Sequence, residues 1–240
     1  MNSLENIKLI SFDLDDTLWI SNEALSNAEI SVYNEIKSNY PKIPLSDTMT
    51  IKEEMHRLKV TNPEIKSNYT LLRKQAIRNI AKNTDYSIES LCDHLMEVFL
   101  DTRCKTQLFD NVIPMLSYLK SKGYILGIIS NGNGDLRHHP ELSSYFDFFV
   151  NPIIAGIAKP NKEIFQYAMK LTQIIDPSCC LHIGDSMEDD ILGAYNAQWK
   201  SIYITNNKTI TNDENLYNHI QPTLTFKSIN DFIDHVTQVL

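Results

Sequence analysis

The stretch Ile10-Ser11-Phe12-Asp13-Leu14-Asp15-Asp16-Thr17-Leu18 decides the fold. Ile7, Leu9, Ile10 and Phe12 form a short apolar run near the N-terminus, the pattern of a buried strand. Carboxylates at 13, 15 and 16 follow it directly. On an extended chain residues i and i+2 point to the same side, so Asp13 and Asp15 converge at the C-terminal mouth of the strand. Open α/β sheets bind their ligands at that mouth. Two carboxylates so close repel each other unless a cation sits between them. The stretch therefore points to a divalent-metal site with one carboxylate free to attack and another to carry protons. Alone it competes with an ordinary turn, in which Asp16 and Thr17 cap the next element.

Three further strand ends shift that balance. Tyr124-Ile125-Leu126-Gly127-Ile128-Ile129-Ser130-Asn131-Gly132-Asn133-Gly134 runs from an apolar strand into a hydroxyl and a turn rich in Gly and Asn. Small residues there let backbone N–H groups approach an anion, and Ser130 offers a hydroxyl to one of its oxygens. In Gly156-Ile157-Ala158-Lys159-Pro160-Asn161-Lys162-Glu163-Ile164-Phe165, Pro160 suits the first turn of a helix whose apolar face opens with Ile164 and Phe165. Lys159 could reach into a cleft at that helix start; taken alone, it reads as a solvated surface residue. Cys180-Leu181-His182-Ile183-Gly184-Asp185-Ser186-Met187-Glu188-Asp189-Asp190-Ile191 is again an apolar strand ending in Gly-Asp. Magnesium takes one or two protein carboxylates and keeps water and phosphate for the rest, and Asp185 is placed as the second carboxylate. Helix capping by Asp185 and Ser186, with first-turn acids at the positive end of the dipole, is the competing account.

In this order, Asp-x-Asp-x-Thr-Leu, Ser-Asn-Gly, Gly-x-x-Lys-Pro and Gly-Asp-x-x-x-x-Asp resemble the haloacid dehalogenase-like (HAD) hydrolase superfamily. The resemblance covers most of the chain outside residues 19–108. It implies that Asp13 is the nucleophile that becomes an aspartyl-phosphate and that Asp15 is the general acid/base. The side chain of Asp13, the backbone carbonyl of Asp15 and the carboxylate of Asp185 are implied magnesium ligands. Ser130 and Asn131 match the pair that holds the transferring phosphoryl group, with Thr17 and Gly132 of the same motifs as further substrate-binding positions. Lys159 matches the lysine that neutralises nucleophile and phosphate. Asp190 matches the second acid of the last motif, supporting the metal shell or Lys159 indirectly. Glu188 and Asp189 are left as exposed first-turn acids. One departure stands out: the small Ala-Gly pair usual before the final strand reads Ala197-Gln198, with Gln198 at a turn position that a glycine would fill.

Asp15 separates the branches of the family. A halide leaves without a proton, so halide-releasing relatives lack an acid at this position, and phosphonate-cleaving relatives replace it. The expected activity is a magnesium-dependent phosphatase for a small phosphorylated metabolite, with sugar phosphates, nucleotides and flavin mononucleotide-like compounds nearly level. A phosphomutase using the same acids, and an idle scaffold that binds a phospho-ligand or a partner, are the alternatives. The chemistry is physically sufficient: phosphoryl transfer requires mostly positioning and charge neutralisation.

A net charge of −8 without basic clusters argues against nucleic acid or an anionic membrane as partner. Cys92, Cys104, Cys179 and Cys180 show no metal-ligand spacing and read as reduced structural thiols. No segment has the length of a membrane span, and the N-terminus reaches its first strand without a basic-then-apolar leader. The expectation is a cytoplasmic protein, a monomer or weak homodimer.

The fold class expected is α/β: a doubly wound, parallel-sheet, Rossmann-like core from residues 1–18 and 109–240, with an all-helical cap at 19–108. Strands are expected at Ile7–Asp13, Tyr124–Ser130, Phe148–Asn151, Cys180–Gly184 and Ser201–Thr205. Cap helices are expected at Asn22–Lys37, Ser46–Val60, Glu64–Lys82 and Ser87–Arg103, with core helices at Asn111–Lys122 and Ile229–Val239. Pro41, Pro44 and Pro63 punctuate the cap connections. Such a cap can close over substrate and reopen for product release.

Overall fold

The computed structural model describes residues 4–66, 68–206 and 220–240. Residues 1–3, 67 and 207–219, which fall within the expected core and cap spans, lie outside the described residues. In chain order the elements are β1 (Leu9–Phe12), β2 (Trp19–Ile20), α1 (Asn22–Asn39), α2 (Thr50–Thr61), α3 (Tyr69–Ala81), α4 (Ile88–Arg103), β3 (Gln107–Leu108) and α5 (Val112–Ser121). There follow β4 (Ile125–Ile129), α6 (Pro140–Ser143), β5 (Phe148–Val150), α7 (Pro152–Ala155), α8 (Lys162–Thr172) and β6 (Cys180–Gly184). After them come α9 (Gly193–Asn196), β7 (Lys200–Ile204), β8 (Leu224–Phe226) and α10 (Ile229–Val239). They fall into two compact units.

The first unit comprises Met1–Ile20, Gln107–Asn131 and His139–Leu240. Its six-stranded sheet has the order β5-β4-β1-β6-β7-β8, with every neighbouring pair parallel. The chain steps from β1 to β4 and β5 on one side, then crosses to β6 on the other. The C-terminal end of β1 is therefore the switch point, where crossover elements diverge and leave a crevice for ligands. Central parallel strands are covered on both faces and read as continuous apolar runs. β1 is buried throughout, as is β6, and Leu9, Ile129, Phe148, Val150, Ile164, Phe165 and Trp199 form one packed cluster on the sheet. Truncating one of these, Phe165 for instance, costs about 3–5 kcal/mol. A small antiparallel ribbon pairs Trp19 with Leu108 and Ile20 with Gln107, where the chain leaves and re-enters this unit.

Several elements depart from expectation for local reasons. β8 follows a long connection and pairs parallel to β7 at Ile202–Leu224 and Ile204–Phe226; its three residues carry too little pattern to be read as a strand. Pro160 is not in the first turn of a helix: α8 begins at Lys162 behind Asn161, and the Lys159–Pro160 peptide is cis. Gln198 does adopt φ 62°, the left-handed conformation that glycine enters freely.

The second unit, Ser21–Thr106 with Gly132–His138, is helical. Val32, Ile36, Met55, Leu58, Leu72, Leu95 and Phe99 belong to its core, with Tyr33, Tyr40 and Tyr86 packed against them. The helix expected from Ser46 starts at Thr50, because the Asp47 carboxylate accepts the N–H groups of Met49 and Thr50 and holds a turn. The helix expected from Glu64 starts at Tyr69 behind the Asn68 cap, after a single 3₁₀ turn at Pro63–Ile65. Inside the bundle, Arg73 makes a two-pronged bond to Glu29 at 2.8 and 2.6 Å and stacks 3.7 Å from the Phe99 ring centroid. The segment after Asn131 belongs to this unit through its polar contacts. Asp135 N–H donates to Cys104 Sγ at 3.3 Å, Arg137 pairs with Asp135 and Glu97, and His138 meets Asp101 at 2.9 Å. Among the described residues no helix is long and apolar enough to cross a membrane.

Candidate active site

The site is built at the ends of three adjacent strands, β4, β1 and β6. Asp13 N–H donates to Ile183 O at 2.9 Å, extending the β1–β6 ladder one residue past Phe12 and fixing the Asp13 backbone. The chain then folds into one tight turn: Leu14 O accepts from Leu18 N–H at 2.9 Å, and Asp16 takes φ 57°. That turn brings Trp19 back beside Asp15, and the indole N–H donates to Asp15 Oδ1 at 2.6 Å. Trp19 is fully buried and its ring lies 5.5 Å from that of His139. Thr17 is also buried, and its Oγ1 has no hydrogen-bond partner among the described residues. A buried hydroxyl left without a partner is costly unless a ligand or water completes it.

Lys159 is the electrostatic centre. Its side chain is 1% exposed, and its three donors go to Asp13 Oδ1 at 2.9 Å, Asp190 Oδ1 at 2.5 Å and Ile129 O at 2.7 Å. All three ammonium hydrogens are thus committed. The backbone of Lys159 is held from β4, because Asn131 Nδ2 donates to Lys159 O and Lys159 N–H donates to Asn131 Oδ1, each at 2.9 Å. The Asn131 amide is thereby engaged with Lys159, and its main-chain N–H is what it can offer an anion.

Asp190 reaches the site through an irregular turn. Ser186 Oγ caps Asp189 N–H, and Ser186 O accepts from both Asp190 and Ile191, the second bond closing a π-type turn over Met187–Leu192. Such one-residue insertions redirect a side chain and recur at functional sites. Here the carboxylate of Asp190 lies on the end of β6, where a Cβ on Gly184 would come within 2.2 Å of Asp190 Cγ. Only glycine allows that approach. Asp190 Oδ1 accepts from Lys159 and from His182 Nε2 at 2.9 Å, and Oδ2 accepts from Ser186 N–H at 2.9 Å.

The charges divide unequally. Burial pushes the Asp13 carboxyl up to about 8, with Lys159 opposing and Asp190, Asp185 and Asp15 adding to the rise. Burial acts on Asp190 in the same sense, but Lys159 and His182 outweigh it and hold Asp190 well below the usual carboxylate range. Lys159 lies nearer Asp190 (2.5 Å) than Asp13 (2.9 Å), and Asp190 also accepts from His182 and Ser186 N–H, so Asp13 has the fewer compensating donors. Burial works against the Lys159 ammonium, yet Asp13 and Asp190 more than offset it and raise its pKa.

The carboxylates of Asp13, Asp185 and Asp190 offer oxygens within 4.8 Å of one another. This donor set is all hard oxygen, which suits magnesium, and a divalent cation would supply the charge that Asp13 lacks. Within this set the Asp190 oxygens accept from Lys159, His182 and Ser186 N–H, three donors against the one from Lys159 on Asp13 Oδ1. The carboxylate of Asp15 is not in this set and turns to Trp19. Ser130 is buried at the end of β4, its N–H bonded to Val150 O. Gly132 falls in the helical unit.

The sequence profile of haloacid dehalogenase-like hydrolases matches residues 7–198. The chain belongs to this family. The HAD-like hydrolase is 27% identical over 241 residues to glyceraldehyde 3-phosphate phosphatase of Methanothermobacter thermautotrophicus, covering 98% of this chain and 100% of that protein. A shorter match to pyrimidine 5′-nucleotidase YjjG of Escherichia coli is 39% identical over 89 residues, and spans 35% of this chain and only 39% of that relative's length. The structure of 2-haloacid dehalogenase from Pseudomonas syringae superimposes with a TM-score of 0.83 at 29% identity, over 98% of this chain and 100% of that one.

Two neighbours of the candidate site were not legible as such. Asp189 is partly buried rather than an exposed first-turn acid; burial pushes its carboxyl up to about 6 against the pull of Lys159 and the Asn131 side chain. Glu188 is exposed as expected. His182 sits inside an apolar strand, and the one available signal was a polar residue interrupting a buried run.

Proposed function

We propose that this hydrolase is a magnesium-dependent phosphatase that hydrolyses a small phosphorylated metabolite through an aspartyl-phosphate on Asp13. The observation that carries the reading is the buried Lys159 ammonium held between Asp13 and Asp190, with Asp185 alongside. A dianionic phosphate ester needs its charge cancelled before a carboxylate can attack it.

Asp13 and Asp185, with the main-chain carbonyl of Asp15, would hold the magnesium. When bound, the metal neutralises carboxylate and phosphoryl oxygens and aligns the ester with its attacker. Asp13 Oδ attacks phosphorus and the P–O bond to the leaving group breaks. Asp15 gives its proton to the departing alkoxide. Asp15 then takes a proton from water as the water oxygen attacks phosphorus, the bond to Asp13 breaks, and inorganic phosphate leaves. Lys159 stays charged throughout, opposite the carboxylate and the equatorial oxygens. Ser130, Thr17 and the N–H group of Asn131 are the proposed phosphoryl contacts.

Halide release is the competing reading, represented by the dehalogenase of similar fold. Asp15 argues against it, since a halide leaving group has no use for a proton donor two residues after the nucleophile. Relatives named for glyceraldehyde 3-phosphate and for pyrimidine nucleotides support sugar phosphates and nucleotides as the substrate class, with flavin mononucleotide-like esters beside them.

Phosphate release from a panel of sugar phosphates, nucleotides and flavin mononucleotide, with and without magnesium, tests the proposal. Magnesium-dependent release from at least one ester supports it. Release of halide from a haloacid, with none of phosphate from any ester, would reject it.

A further inference from the structure

Ser11 and His182 are register partners on the neighbouring strands β1 and β6. Ser11 lies two residues before Asp13, so both side chains share one face of the sheet. The pair thus forms a polar layer directly beneath the nucleophile. Both are fully buried.

Their hydrogen bonds run in one direction. Asp190 is ionised and can only accept, so His182 Nε2 carries the hydrogen donated to it at 2.9 Å. His182 Nδ1 is then the acceptor, and Ser11 Oγ donates to it at 2.7 Å. Burial lowers the imidazole pKa, in the direction of a neutral ring, against the opposing bonds to Asp190 and the Ser11 main chain. Phe165 meets the ring edge-on, centroids 5.2 Å apart at 88°. Phe165 is itself held close by Gly193, where a Cβ would come within 2.8 Å of its ring. The ring therefore has one tautomer and one orientation, both aimed at Asp190.

We propose that His182 is a positioning residue for phosphoryl transfer: fixed by Ser11 and Phe165, it locks the Asp190 carboxylate, and through it the Lys159 ammonium against Asp13. An aliphatic side chain would fill this core position without the cost of burying two polar nitrogens. What the histidine adds is a directed bond to a carboxylate whose other contact on the same oxygen is Lys159. Partners of this kind, one step behind the reacting groups, change activity by roughly 10- to 100-fold when removed.

The inference rests on the phosphatase reading above, and the test separates the two. Steady-state kinetics and thermal unfolding are measured, with magnesium, for wild type, His182→Phe, His182→Gln, Ser11→Ala, Asp190→Asn and His182→Phe/Asp190→Asn. Gln keeps a donor near the place of Nε2, and Ser11→Ala removes only the hydroxyl that fixes the tautomer. The expected result is a kcat about 10-fold or more lower in His182→Phe with KM within about twofold, because Lys159 acts on the transferring charge rather than on the rest of the substrate. His182→Gln should recover much of that loss, and Ser11→Ala should show a smaller fall in kcat. In the Asp190→Asn background, His182→Phe should add little further loss. If His182→Phe does not fold, His182→Gln and Ser11→Ala decide. Wild-type kcat in Ser11→Ala and His182→Phe, no rescue by His182→Gln, or fully additive losses with Asp190→Asn would overturn the inference while leaving the phosphatase reading intact. An inactive wild type would remove both.

Discussion

The ammonium of Lys159 stands 2.9 Å from Oδ1 of Asp13, with the lysine side chain 1% exposed. The pair links residues far apart in sequence, joining the end of β1 to the loop before α8. Because the same ammonium also serves Asp190, removing it strands that buried carboxylate and takes the partner of Asp13 as well. Lys159→Met is expected to destabilise the fold by about 3–5 kcal/mol and to abolish turnover. Adding Asp190→Asn should return part of the stability and none of the activity. Urea unfolding of both variants, with phosphate release, reads this out.

Magnesium should stabilise the protein more as pH rises. In the metal-free protein burial lifts Asp13 from its ordinary 3.8 to about 8, so the folded state keeps a proton that the unfolded chain releases. The contribution of Asp13 to stability is therefore lost as pH climbs through that interval. Asp190 has the opposite sign: its contribution is present above the ordinary carboxylate value and is lost only in stronger acid. With the Asp13 carboxylate as a proposed ligand, the rise in unfolding temperature on adding magnesium should be larger at about pH 8 than at about pH 5.5. An equal or smaller shift at the higher pH would contradict the charge assignment.

Asp15 should matter in proportion to how much the leaving group needs a proton. Asp15→Ala is expected to lower kcat by roughly 10²- to 10⁴-fold for alkyl phosphates. The loss should be much smaller for p-nitrophenyl phosphate, whose phenolate leaves without help. Equal losses on both ester types would remove Asp15 from the proton-transfer role.

In the helical unit, Arg73→Met leaves Glu29 buried without its two-pronged partner. A loss of about 3–5 kcal/mol is expected, largely recovered by the double change Glu29→Leu/Arg73→Met. Circular dichroism in a urea titration distinguishes this from a weak surface pair such as Lys42–Asp85, whose removal should be nearly silent.

The candidate site was legible in the sequence where its acids and hydroxyl coincide with a strand end. Asp13 and Asp15, Ser130 and Asp185 each follow an apolar run, and period-2 geometry alone points the first pair to one side. The sheet's core strands were legible for the same reason. What the sequence hid depends on three-dimensional approach. Lys159 reads as a surface lysine from its own neighbours and was singled out by the motif resemblance alone; the physical reason is Asn131, which holds its backbone from another strand. Ser11 and His182 look like polar interruptions of buried strands until register pairs them. Asp189 and Asp190 are adjacent acids; the resemblance picked Asp190, and the π-type turn and Gly184 supply the physical reason that it meets Lys159. Gly132–His138 read as a core turn, whereas its charged residues join the acids of α4 and Cys104.

The central claim is a covalent phosphoryl group on Asp13, and acid quenching during turnover followed by peptide mass mapping tests it most directly. The account predicts one phosphoryl group on the peptide carrying Asp13, formed only with magnesium and absent from Asp13→Asn, which should be folded and at least ~10³-fold less active. Sustained phosphate release by Asp13→Asn, or a phosphoryl group mapped to any other residue of the wild type, would contradict it.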